Sequence, residues 1–121
     1  MAHSICHIEI PTTNLEKAIQ FYRELFEWKI EMWRGSSDYA GFDTGEEPGG
    51  GIMKVNKVSP PTGTGLLFYV LVDSIEDTLS KAEKLGGKLV KEKTPVADIG
   101  WFGLFSDLDG NVIGIWKPKP K

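Results

Sequence analysis

The strongest constraint on this chain is that it repeats itself. Displaced by 60 residues, Leu15-Glu16 falls on Ile75-Glu76, Ile19 on Leu79, Leu25 on Leu85 and Ile30 on Val90. Displaced by 63, Gly51-Ile52-Met53-Lys54 falls on Gly114-Ile115-Trp116-Lys117. A repeat of this length means one supersecondary unit used twice. Local signals give the order of elements in that unit, and they agree in both halves.

The first half opens with Ile5–Ile10, where apolar residues alternate with His7 and Glu9 as in a half-buried strand. Thr13 and Glu16 have capping-box spacing, with Asn14 as a competing cap. Leu15, Ala18, Ile19, Tyr22, Leu25 and Phe26 then mark one buried helical stripe. Trp28–Trp33, Tyr39–Thr44 and Gly51–Val55 read as strands, separated by Gly35-Ser36-Ser37 and by a polar loop over Gly45–Gly50. In the second half Leu66–Val72 is a strand and Ser74 caps a helix, with Asp77 three residues on. Ile75, Leu79, Ala82 and Leu85 form its stripe, and Gly86-Gly87 stops it. Lys88–Lys91, Gly100–Ser106 and Asn111–Trp116 complete the set, the last two joined by the turn Asp109-Gly110-Asn111. The expected class is α+β. It is one domain over 1–121, built from βαβββ modules at 5–57 and 65–117 with a Pro/Gly linker at 58–64.

Composition narrows the function. With 121 residues, 40% hydrophobic and 26% charged, the chain suits one globular domain. The longest apolar run, Leu66–Val72, falls far short of the roughly 18 residues of a membrane span. The N-terminus has no basic stretch followed by a long apolar one, so no secretory signal is expected. A net charge of −3 with scattered basic residues argues against nucleic acid. The single Cys6 permits no internal disulfide and no thiol-rich metal site. A cytoplasmic location follows as an expectation.

His7 and Glu9 point to one side of their strand, about 7 Å apart along it. They form a candidate acid–base pair, or a polar pair that merely lines a cavity. Burial in an apolar surround would raise the Glu9 pKa. Cys6 faces the other way and reads as a core thiol. Gly49-Gly50-Gly51 lacks the Lys-Ser/Thr and the helix of a phosphate loop. Met53, Tyr69 and Trp116 fall on the same parity as His7, with Trp101 or Phe102 joining them. Such rings either bury a flat or apolar ligand or fill the space themselves.

Three stretches of the first half carry a family resemblance: His7-Ile8-Glu9-Ile10-Pro11, Asn14-Leu15-Glu16-Lys17-Ala18 and Phe21-Tyr22. In the second half it rests on Val70-Leu71-Val72-Asp73, Gly86-Gly87 and Phe105 through Asn111. Together they resemble the vicinal oxygen chelate superfamily of glyoxalases, bleomycin-resistance proteins and extradiol dioxygenases. The resemblance implies two modules curling into open half-barrels around a cavity, and a homodimer. It also implies a divalent metal held by the first and last strands of each module. Those positions fall on His7, Gly51, Leu67 and Gly114, so three of four offer no ligating side chain. Asp38, Glu46 and Glu47 are loop carboxylates that could substitute. No metal and no cofactor are therefore expected. The leading expectation is metal-independent binding of a small apolar or aromatic molecule by His7, Glu9, Met53, Tyr69, Trp101 and Trp116. The alternatives are a metal-dependent lyase, isomerase or dioxygenase using His7 and Glu9, and a structural or regulatory dimer with a filled cavity.

Overall fold

A computed structural model describes residues 3–58 and 67–120. The chain divides between Val58 and Ser59 into two units. Most of the expected linker, 59–64, lies outside the described residues, as does Leu66.

In the first unit β1 (His7–Thr12), α1 (Leu15–Phe26), β2 (Lys29–Met32), β3 (Tyr39–Asp43) and β4 (Gly49–Lys54) follow one another. They form a sheet in the order β1-β4-β3-β2, with β1 parallel to β4 and the other pairs antiparallel. The second unit contains β5 (Tyr69–Leu71), α2 (Ile75–Lys84), β6 (Lys88–Val96), β7 (Gly100–Ser106) and β8 (Val112–Pro118). Its order, β5-β8-β7-β6, matches the first unit element for element. Each sheet is open and carries its helix on one face.

The helix-bearing faces hold the cores. In the first unit Ile10, Leu15, Ala18, Phe21, Tyr22, Leu25, Trp28, Ile30, Phe42 and Ile52 are buried. Trp28 stacks between Tyr22 and Phe42, with centroids 5.4 and 4.4 Å away. Arg23 ties the helix to β2 by donating from Nη2 to the Ile30 carbonyl at 2.7 Å. In the second unit the core is Ile75, Leu79, Ala82, Phe105, Ile113 and Ile115.

Several sequence expectations are corrected here. The cap of α1 is Asn14, whose Oδ1 accepts from the Lys17 amide at 3.2 Å; Thr13 is exposed. Strand β1 starts at His7, two residues later than expected, and continues through Pro11 to Thr12. Cys6 therefore precedes the strand and is exposed, not a core thiol. Strand β4 begins at Gly49, inside the expected loop, because the glycines pair with β1. Strand β6 runs five residues past Lys91, with register shifts along its pairing to β7. It is an edge strand, where Pro95 needs no ladder partner for its nitrogen and lysines discourage further pairing.

The β7–β8 turn is held by one carboxylate. Asp107 is buried, and its Oδ1 accepts from the amides of Asp109 and Asn111, both at 2.9 Å. Its Oδ2 accepts from Asn111 Nδ2 at 3.0 Å. Asp107→Ala strands those donors and should cost about 2–4 kcal/mol in urea unfolding.

Candidate functional site

The face of the first sheet opposite α1 is built by strand register. Glu9 pairs with Gly51, Gly51 with Gly41, and Gly41 with Glu31. One transverse row thus reads Glu9, Gly51, Gly41, Glu31. In the next row Pro11 pairs with Met53 and Met53 with Tyr39, and the Trp33 amide donates to the Tyr39 carbonyl at 2.9 Å. His7 pairs with Gly49 and completes the edge. The centre of this face is glycine, and its rim is polar on one side and aromatic on the other.

Tyr39 joins the two sides. Its ring lies over Gly51, where an added Cβ would fall inside the phenol. Covering a strand glycine with a neighbouring ring restores the packing that the missing side chain forfeits. In that position the Tyr39 hydroxyl donates to Glu9 Oε2 at 2.6 Å. His7 Nε2 lies 2.9 Å from the Tyr39 oxygen and 3.2 Å from Glu9 Oε2. Tyr39 has spent its single proton on Glu9, so both neighbours of Nε2 are acceptors. The His7 proton therefore sits on Nε2 and is shared between them.

The triangle is not buried: 47% of the His7 side chain and 44% of that of Glu9 remain accessible. The Glu9 carboxyl is accordingly held below its ordinary value, first by the Tyr39 hydroxyl and then by His7, which together outweigh partial desolvation. A raised Glu9 pKa was conditional on burial, and the burial is not there. Tyr39 moves the opposite way, to about 12, through desolvation and then its bond to the Glu9 carboxylate.

The second unit repeats the device. Tyr69 pairs with Gly114 and its ring covers that glycine; the Trp116 indole covers Gly100. Tyr69 and Trp116 share the face opposite α2, and Phe102, paired with Trp116, stands beside them, 6.3 Å from Tyr69. Trp101 is on the other side, with Lys93 Nζ 4.9 Å from its ring. Lys93 in turn reaches Glu76 of α2 at 3.4 Å. Of the expected residues, His7, Glu9 and Met53 thus lie together in the first unit and Tyr69 and Trp116 in the second. Trp101 is turned away from that pair.

The family metal finds a poor donor set here. Gly51 and Gly114 have no side chain, and tyrosine rings take the space a carboxylate would need. Leu67 is aliphatic, and His7 Nε2 is engaged by Tyr39 and Glu9. Among the described residues no three His, Cys, Asp or Glu side chains gather at one point. The residues do not fit the group.

Residues 4–115 match the profile of the Glyoxalase/Bleomycin resistance protein/Dioxygenase superfamily, and the chain belongs to it. It is 31% identical over 119 residues to a glyoxylase-like domain-containing protein of Didymella fabae, covering 92% of this chain and 91% of that protein. Its fold is that of a family enzyme from Burkholderia phytofirmans, with TM-score 0.75, 20% identity, and coverage of 92% and 95%. A variant of the fosfomycin-resistance protein FosX of Listeria monocytogenes gives TM-score 0.75 at 20% identity, covering 96% of this chain and 90% of that one. That FosX structure is a complex with Mn(II) and 1S,2S-dihydroxypropylphosphonic acid. Among the described residues no helix is long and apolar enough to cross a membrane.

Two titrations check the triangle. In an NMR titration Glu9 should ionise below the ordinary carboxylate range, and Tyr39→Phe should raise it by removing the strongest lowering contact. By ultraviolet absorbance Tyr39 should ionise at about 12. Glu9→Gln should lower that value only in part, since desolvation persists. The signs for stability follow by linkage. The Glu9 contribution is present above its unfolded value of 4.5 and fades as pH falls through the folded one. The Tyr39 contribution is present below 10 and fades as pH rises toward 12.

Gly51→Ala tests the packing. The phenol must swing off the strand, so Tyr39 should return to the ordinary tyrosine range and Glu9 should rise. The loss of stability should be about 1 kcal/mol, the net worth of the displaced hydrogen bonds. An unchanged Tyr39 titration in Gly51→Ala would contradict the arrangement.

Proposed function

We propose that this member of the superfamily binds a small apolar or aromatic molecule without a metal ion, on sheet faces lined with aromatic side chains. One observation carries the reading. Tyrosine rings lie over the two last-strand glycines where the resemblance would put metal-binding carboxylates. A ring in that place removes a ligand position and adds flat apolar area, which suits burial of a planar molecule. The pKa directions also favour binding over proton transfer. A general acid or base works best with a pKa near the operating pH. Here Glu9 is moved down and Tyr39 up, both away from neutrality.

A homodimer is part of the proposal, because β5 is an edge strand and its Leu71 is largely exposed, an edge that a second copy can protect. Light scattering at micromolar concentration should give about twice the 13.4 kDa chain mass. For metal independence, calorimetric titration with Mn(II), Ni(II) and Zn(II) should show no tight stoichiometric site. A thermal-shift screen of the metal-free protein should find aromatic compounds that raise its melting temperature. One equivalent of Mn(II) or Ni(II), bound tightly and lost in His7→Ala, would overturn the reading and favour the metal-dependent one.

A further inference from the structure

We propose that the open sheet face of the first unit recognises an organic ammonium, its cation seated against the Tyr39 and Trp33 rings with the Glu9 carboxylate at the hydroxyl end of Tyr39. This rests on the small-molecule reading above and names its ligand class.

Trp33 is the first observation. It is 61% exposed, although tryptophan is among the costliest side chains to leave in water. Its ring meets Tyr39 at 5.8 Å between centroids and 81° between planes, so the pair forms two walls of a corner. The floor beside it is glycine, because Gly41 sits under the edge of the indole and Gly51 under the phenol. Aromatic walls present the negative faces of their π systems, and a cation against them is stabilised.

Charge is the second. Glu9 and Glu31 end the glycine row, and Asp43 and Lys29 face one another in the row beyond. The face carries three carboxylates against one lysine, with His7 at its edge. Carboxylates outnumber the lysine, so the face favours an ammonium over an anion. Glu9 is also preorganised. Tyr39 and His7 both bind its Oε2, which fixes the carboxylate and leaves Oε1 outside those contacts. A fixed charge beside a half-buried ring, with an exposed indole against that ring, is an arrangement suited to an alkylated ammonium ion.

Three probes test it: benzyltrimethylammonium, its uncharged carbon isostere neopentylbenzene, and benzoate. The permanent charge of the first keeps ligand titration out of the comparison. Binding is read from the indole N–H signals of the 15N-labelled protein, with Trp33→Ala assigning the Trp33 signal. The ammonium should shift that signal and bind about tenfold more tightly than the isostere. Benzoate should be weakest. Glu9→Gln should reduce the preference for the cation several-fold while leaving the isostere unchanged. Trp33→Ala, at an exposed position, should weaken the ammonium with melting temperature preserved. If the isostere binds as tightly as the cation, the ammonium inference fails and the small-molecule reading stands. The inference also fails if the cation binds but ignores both substitutions, since it then sits elsewhere. If none of the three binds, both readings fall.

Discussion

A glycine in the middle of a sheet strand is a vacancy that something must fill, and in the first unit Tyr39 fills it. The ring settles over Gly51 from the adjoining strand. Only from there does its hydroxyl reach Glu9 and meet His7. Packing thus comes first and electrostatics follows from it. The fixed carboxylate, the engaged imidazole and the opposed pKa shifts of Glu9 and Tyr39 all depend on a side chain that Gly51 lacks. The same economy holds in the second unit, where Tyr69 covers Gly114 and Trp116 covers Gly100.

The opposite faces obey ordinary rules. An amphipathic helix lies on each sheet, and its apolar stripe meets the inward residues of the strands. Those faces could be read from the sequence because their signals are periodic. Leu15, Ala18 and Leu25 recur at helical spacing, and Ser74 and Asp77 announce the start of α2. The repeat then assigns both halves at once. Where periodicity is absent the reading falters. Four of the nine residues of strand β6 are charged and its apolar residues do not alternate, so its pairing comes from its place beside β7 rather than from its own pattern. Strand β4 starts on glycines, which carry strand conformation only because β1 and β3 flank them.

The site was legible in the same measure. Alternation places His7 and Glu9 on one side of a strand, and parity carried through the repeat puts Tyr69 of β5 and Trp116 of β8 on a common face. Tyr39 and Trp33 were missed, since neither stands out by parity within its own strand. Their place follows from which residues of β3 and β4 lie opposite, and from the rings leaning across glycines. The one usable signal was the glycines themselves: Gly41, Gly51 and Gly114 amid aromatic strands ask for covering rings. The choice between Trp101 and Phe102 turns on a single residue of register in β7, which a run of apolar residues does not fix.

Pairing a glycine with the ring above it also shapes how such a protein can change. A glutamate introduced at Gly51 runs into the Tyr39 phenol, whereas trimming Tyr39 alone exposes a strand glycine and releases Glu9. Neither step by itself supplies a carboxylate in working position, and each loses packing or hydrogen bonds. Any mutational route to a carboxylate at these last-strand positions therefore crosses at least a two-residue valley in each module, with Leu67 a further change in the second, a barrier set by the packing of ring on glycine.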